Sequence, residues 1–167
     1  DKKTDDITED RIIKGMVGRD LTDRFPKREN VKIGDVLMEV KGWNVYHPLY
    51  TERKVVDDVS MNVRRGEVVG ICGRMGAGST ELAMSIFGKS YGTNISGQLF
   101  INGKEVHLRN VKEAINNKLA YVTEDRKGNG LILSNPIKIN TTMANLDAVS
   151  THTVIDKDKE YGVAVDY

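Results

Sequence analysis

At 167 residues the chain can bury one core of ordinary domain size, and its 29% charged content and negative mean hydropathy describe a polar surface. Twenty-five Lys and Arg against 24 Asp and Glu leave a net charge of +1, with the cations scattered rather than gathered into a stripe, which excludes nucleic acid as an electrostatic partner. No apolar run reaches the length of a membrane span, and the opening Asp1-Lys2-Lys3-Thr4-Asp5-Asp6 is too charged for a signal peptide, so the chain has a cytosolic character.

In chain order, residues 5–18 carry Ile7, Ile12, Ile13, Met16 and Val17 at helical spacing, with Gly15 and Gly18 near the end. That predicts one short helix, too short to form a core. Residues 19–34 combine basic residues and Pro26 with no sustained period, the composition of a linker, and place a domain boundary near residue 34. From Val36 the pattern turns to β. Val36-Leu37-Met38-Glu39-Val40 reads as one strand, and Val59, Met61 and Val63 alternate with Ser60, Asn62 and Arg64 as a half-buried second, in a small antiparallel sheet. Trp43, next to the first strand, is expected to pack rather than bind.

Glu67-Val68-Val69-Gly70-Ile71-Cys72 is a continuous apolar run of strand length. Cys72, the single cysteine, can form no internal disulfide and is expected there as a buried, inert thiol. Residues 80–87 read as a helix, with Leu82 and Ile86 on one stripe, Ala83 and Phe87 beside them and Gly88 as the stop. Gln98-Leu99-Phe100-Ile101 and Glu105-Val106-His107-Leu108 flank Asn102-Gly103, a hairpin signal because a type I′ turn needs positive φ at both central residues. Asn110 with Glu113 three residues later resembles a capping box opening a helix through Val111, Ala114 and Ile115. Leu119-Ala120-Tyr121-Val122 reads as a buried strand, and Tyr161, Ala164 and Val165 begin a last helix. The fold class is α/β, a phosphate-loop NTPase core with an antiparallel β layer.

Between the apolar run and its helix stands Gly73-Arg74-Met75-Gly76-Ala77-Gly78-Ser79-Thr80. Its glycines let backbone N–H groups curl around phosphate oxygens at a helix start, where the dipole favours an anion, and Thr80 offers a hydroxyl to Mg2+. The position before Thr80 calls for Lys, which would place a cation against the β- and γ-phosphates, and here it is Ser79. The candidate binding residues are Gly73, Gly76, Ala77, Gly78, Ser79, Thr80 and Glu81, with no catalytic residue. A plain glycine-rich turn is the bland reading. His47, His107 and His152 are too dispersed for a zinc site, and no Ser/His/Asp or Cys/His arrangement can be built.

Residues 55–88, the Gly97-Gln98-Leu99-Phe100-Ile101-Asn102-Gly103-Lys104 hairpin and Tyr121-Val122-Thr123-Glu124-Asp125-Arg126-Lys127 together resemble the nucleotide-binding domain of an ABC transporter. More narrowly, Gly76-Ala77-Gly78-Ser79-Thr80-Glu81-Leu82 and Glu124-Asp125-Arg126-Lys127-Gly128-Asn129-Gly130-Leu131 are similar to the second of two fused ATPase domains in bacterial sugar importers of the ribose, xylose and galactose type. Ile12-Ile13-Lys14-Gly15-Met16-Val17-Gly18-Arg19 looks like the end of the first such domain. The resemblance thus makes 1–34 the tail of a preceding domain with its linker, and 35–167 the N-terminal part of a second, truncated ABC domain.

The resemblance implies a parent that binds and hydrolyses ATP with Mg2+ to drive sugar uptake. It would sit peripherally on the cytoplasmic face of the membrane, against permease subunits fed by a periplasmic sugar-binding protein. The nucleotide would be shared with the first ATPase domain of the same chain or with a second copy. Glu124 falls where such domains carry the Gln that joins nucleotide and metal to the membrane subunit, so Thr80 and Glu124 are the implied metal pair. Either Tyr46 or Tyr50 occupies the stretch whose aromatic stacks on adenine. Ser79 follows a family trend of losing the loop Lys in the second domain. With the chain ending at Tyr167 before any signature run or acidic strand, no turnover is expected of it alone. A regulatory pseudo-ATPase that binds no nucleotide is the rival reading, while a P-loop kinase leaves the Asn102-Gly103 hairpin and residues 124–130 without a role.

Overall fold

The computed structural model describes residues 7–18 and 31–167. Most of the expected linker therefore lies outside the described residues. Helix α1 (Glu9–Val17) begins at Thr8, whose side chain accepts from the Arg11 N–H, and ends at Gly18, whose φ of 77° lets its N–H close on the Lys14 carbonyl. None of its residues is buried, in keeping with a segment too short to make a core.

The core is a four-stranded antiparallel sheet in the order β2-β1-β3-β4, built from β1 (Val36–Tyr46), β2 (Lys54–Arg64), β3 (Thr93–Ile101) and β4 (Lys104–Glu105). β2 alternates as its sequence predicts, with Val59, Met61 and Val63 half-buried between exposed neighbours. β1 runs well past its predicted end at Val40, and the reason is a β-bulge at Gly42 (φ 56°). Against β3, Lys41 faces Gln98 and Asn44 faces Ser96, so two β1 residues oppose the single Gly97. Against β2, Val40 faces Met61 and Trp43 faces Val59, with the Gly42 N–H donating to Ser60 Oγ at 2.9 Å. The bulge shifts the inward parity, so Val40, Trp43 and Val45 are all buried although the first lies three residues from the second. Gly97 (φ 116°) is required there, since a Cβ would sit 2.7 Å from the Gly42 carbonyl oxygen.

The hairpin from β3 to β4 turns through Asn102 (φ 50°) and Gly103 (φ 74°), the two positive angles a type I′ turn demands. β4 is shorter than its sequence suggests, although the Val106 N–H still reaches the Leu99 carbonyl. Helix α2 (Ser79–Ile86) lays Leu82, Ser85 and Ile86 on the sheet and stops at Phe87 and Gly88 (φ 66°), as read from the stripe. Trp43 Nε1–H donates to Ser85 Oγ at 2.9 Å, and that hydroxyl donates to the Leu82 carbonyl at 2.8 Å. Trp43 is therefore a packing residue, as expected, with its one polar atom satisfied. Helix α3 (Val111–Asn116) is capped by Asn110, whose side chain accepts from the Glu113 N–H at 3.0 Å. The Glu113 carboxylate reaches back one residue further than a capping box requires, to the Arg109 N–H at 2.8 Å.

Two expected strands do not form. Residues 67–72 and 119–122 form no strand: Val68 is 76% exposed and Val122 92%. Cys72, in the first of them, is an exposed thiol rather than a buried one. Continuous apolar runs of this kind belong to strands covered on both faces, and among the described residues no strand pairs with either.

The remaining chain, for which the sequence offered only its last helix, forms α4 (Ile137–Thr142), a 3-10 stretch over Met143–Val149, a short hairpin of β5 (Ser150–Thr151) with β6 (Val154–Ile155), and α5 (Lys157–Asp166). Glu160 on α5 is buried against α4, paired with Lys138 Nζ at 2.7 Å and accepting from the Thr142 hydroxyl at 3.3 Å. The Lys138 hydrogen bond holds the Glu160 carboxyl below its ordinary pKa against the opposing effect of desolvation.

Candidate functional site

The segment 73–80 connects an exposed apolar run to α2, and its conformation follows from its glycines. Gly76 (φ 78°) and Gly78 (φ 94°) are both left-handed, and the Ala77 N–H closes a turn on the Arg74 carbonyl at 2.9 Å. A Cβ at Gly78 would collide with the Val55 carbonyl oxygen, so the loop end is pressed onto the first residues of β2. Around Gly76 a Cβ would meet nothing within 4 Å, so the loop's middle faces open space. No side chain caps α2 at Gly78, which leaves its first-turn N–H groups to an external acceptor.

Thr80, on the first turn of α2, donates from Oγ1 to Glu124 Oε1 at 3.1 Å across 44 residues of sequence. A hydroxyl oxygen and a carboxylate thus converge beside an uncapped helix start, a donor pair of the oxygen type that Mg2+ prefers. Ser79 is exposed and brings no charge. Glu81 is half-buried in the same turn. After Glu124 the chain makes a single π-turn over Arg126–Gly130, held by the Asp125 carboxylate accepting from the Gly128 N–H at 2.9 Å. A cavity of about 550 Å³ separates this turn from the end of α2, lined by Phe87, Tyr121, Thr123, Arg126, Asn129 and Leu131 among others.

Of the two candidate aromatics, Tyr46 pairs with Lys54 at the end of the β1–β2 ladder, one residue from the Val55 carbonyl that touches the loop. Lys54 Nζ lies 5.6 Å from the Tyr46 ring centre. Tyr50 is an exposed turn residue, its ring 5.0 Å from that of His47, whose Nδ1 accepts from the Leu49 and Tyr50 N–H groups. The ladder therefore places Tyr46 opposite Lys54, next to the Val55 that touches the loop, while Tyr50 belongs to a ring cluster with His47. Sequence reasoning missed the Asp125 turn and the Trp43–Ser85 bond. The spacing Asp125-x-x-Gly128 was a usable signal for the first, whereas a serine in mid-helix gave none for the second. Among the described residues no group of three His, Cys, Asp or Glu side chains could hold a metal.

The model of the family described as ABC transporter matches residues 56–161. The chain is 59% identical over 160 residues to the L-arabinose transport ATP-binding protein AraG of Geobacillus stearothermophilus, covering 96% of this chain and 31% of that protein. It is 40% identical over 165 residues to the xylose import ATP-binding protein XylG of Thermoanaerobacter pseudethanolicus (99% of this chain, 32% of that protein). To the ribose import ATP-binding protein RbsA of Bacillus cereus it is 38% identical over 157 residues (94% and 30%). The chain thus spans about a third of the length of these curated relatives. With the antiparallel sheet, the glycine loop and the helix after it in the order the sequence resemblance implied, the chain belongs to the ABC transporter family, within its ATPase domain.

Proposed function

We propose that the chain is the N-terminal part of the second nucleotide-binding domain of a sugar-importing ABC ATPase, with residues 1–34 carrying the tail of a preceding domain. The observation that supports this best is the 3.1 Å bond between Thr80 and Glu124 at an uncapped helix start. Gly73, Gly76, Ala77, Gly78, Ser79, Thr80 and Glu81 surround the phosphates, and Tyr46 or Tyr50 faces the adenine. Mg2+ bound with ATP supplies positive charge against the phosphate oxygens, which matters more here because Ser79 supplies none. Thr80 and Glu124 are the residues that would hold it.

The parent hydrolyses ATP and drives sugar uptake, peripherally on the cytoplasmic face of the membrane, in contact with permease subunits and, through them, a periplasmic sugar-binding protein. The other half of its nucleotide sandwich is a first ATPase domain or a second copy of the parent. No helix among the described residues is long and apolar enough to cross a membrane. The groove between α2 and the 126–130 turn is the surface we assign to the permease.

Ser79 favours a second reading, a regulatory half that binds nucleotide weakly or not at all. Titrating the chain with Mg-ATP tests both. The missing charge-assisted hydrogen bond is worth about 1.5–3 kcal/mol, so Ser79→Lys should tighten binding by roughly ten- to a hundredfold. Equal affinity of the two forms would show that the loop is not the site, and absence of binding by either would leave the regulatory reading in possession. The chain alone should release phosphate from Mg-ATP no faster than buffer does.

A further inference from the structure

A second cavity, of about 240 Å³, opens between the end of α2, residues 95–97 of β3 and residues 106–109, and none of the functional assignments above uses it. Its floor is apolar and fixed: Trp43, Ile86, Leu99 and Leu108 are all buried. Its rim carries Lys89, His107 and Arg109, all exposed at the mouth, and no carboxylate lines it. Among the described residues none of these three side chains has an ion-pair partner.

The backbone holds two of the cations at the cavity. Lys89 follows Gly88 in a left-handed conformation (φ 55°), and its N–H bonds the Ser85 carbonyl at 3.1 Å, while the Ser90 N–H bonds that of Met84. Those bonds also occupy carbonyls at the end of α2 that would otherwise repel an anion. Arg109 is tied through its own N–H to Glu113 Oε2 at 2.8 Å, and the other oxygen of that carboxylate accepts from Asn110 Nδ2 at 3.3 Å. Both oxygens of Glu113 are thus engaged by these donors. Ser85 cannot donate into the cavity, since its proton goes to Leu82, so hydrogen bonds to a ligand come from the rim.

We propose that this cavity binds a small phosphate dianion, free or as a monoester, separately from the loop at 73–80. Two permanent cations with an imidazole between them in sequence match a dianion better than a single carboxylate, and Arg109 can grip two of its oxygens at once. A volume of about 240 Å³ leaves room for a phosphate with a body of a few carbons.

Trp43 is the chain's single tryptophan and forms part of the floor, so its fluorescence reads occupancy directly. Inorganic phosphate and ribose 5-phosphate should each give a saturable change in Trp43 emission that chloride at equal ionic strength does not reproduce. Tighter binding of the ester would identify it as the better ligand, and equal binding would identify phosphate itself; either supports the site. The double variant Lys89→Gln/Arg109→Gln should bind about a hundredfold more weakly, one factor of roughly ten for each cation removed. Ser79→Glu, which sets a carboxylate in the other loop, should leave the titration unchanged. The same ligands should raise the thermal midpoint of the unsubstituted chain and not that of the double variant, whose exposed positions leave the core intact. A titration that does not saturate, or one kept by the double variant and abolished in Ser79→Glu, would overturn the proposal.

Discussion

The β1–β3 sheet and the two apolar runs at 67–72 and 119–122 draw on the same residue types and end in opposite states. Val40, Val45 and Leu99 lie inside, at 2% exposure or less, whereas Val68 and Val122 face outward. The difference lies in where each segment finds its partner. β1 meets β2 across residues 47–53, β3 meets β4 across Asn102-Gly103, and the two hairpins join where β1 pairs with β3, Val40 facing Leu99. An apolar run without alternation has no solvent face to give up and needs paired strands on both sides, and among the described residues no strand pairs with either run. Hydrophobicity thus says that a segment must be covered, while only pairing says by what.

Truncating one residue in each region puts this contrast to its most severe trial. Leu99→Ala, at 2% exposure, should cost about 2–5 kcal/mol in denaturant unfolding, while Val122→Ala should stay within about 0.5 kcal/mol. Similar losses for both would mean that the second run is covered after all. A smaller effect is expected of Ser85→Ala, which leaves the Trp43 indole N–H buried without an acceptor and should cost about 1–3 kcal/mol. A blue shift of Trp43 emission would accompany it as the indole loses its hydrogen bond; unchanged stability with a red shift would show that the indole finds another acceptor.

The smallest effect concerns the region the sheet does not reach. Glu160 has its pKa lowered by Lys138, so its ionised form is favoured by folding. Its contribution is complete above the ordinary carboxylate pKa and is lost as pH falls through the lowered value in the folded state. Unfolding followed against pH should therefore lose stability on the acid side, and Glu160→Gln should flatten that limb. An identical acid limb in the variant would refute the coupling of α4 to α5 through this pair.

How much of the fold could be read beforehand follows the same division. The half-buried alternation of Val59, Met61 and Val63, the Asn102-Gly103 turn, the Asn110 cap and the Leu82/Ile86 stripe are local patterns, and all four are present. The length of β1 was not legible, because Gly42 breaks the alternation on which strand reading depends. In the site, the glycine spacing fixed the loop and its helix. That Thr80 meets Glu124 came from the family resemblance, since no local signal spans the gap between them. Between Tyr46 and Tyr50 the structure adds only register, pairing Tyr46 with Lys54 next to Val55, which spacing alone could not give.

The bulge at Gly42 also sets the kinds of sequence change this strand can absorb. Inside and outside on β1 are counted from the extra residue: before it even positions such as Val40 turn inward, after it odd ones such as Trp43 and Val45. Deleting one residue at 41–42 would remove the bulge and leave Trp43 and Val45 facing inward against the same partners, whereas deleting Asn44 would turn Val45 outward with no extra residue to absorb the change. Outside the bulge a single-residue deletion is a frameshift written in three dimensions; inside it the strand has a residue to spare.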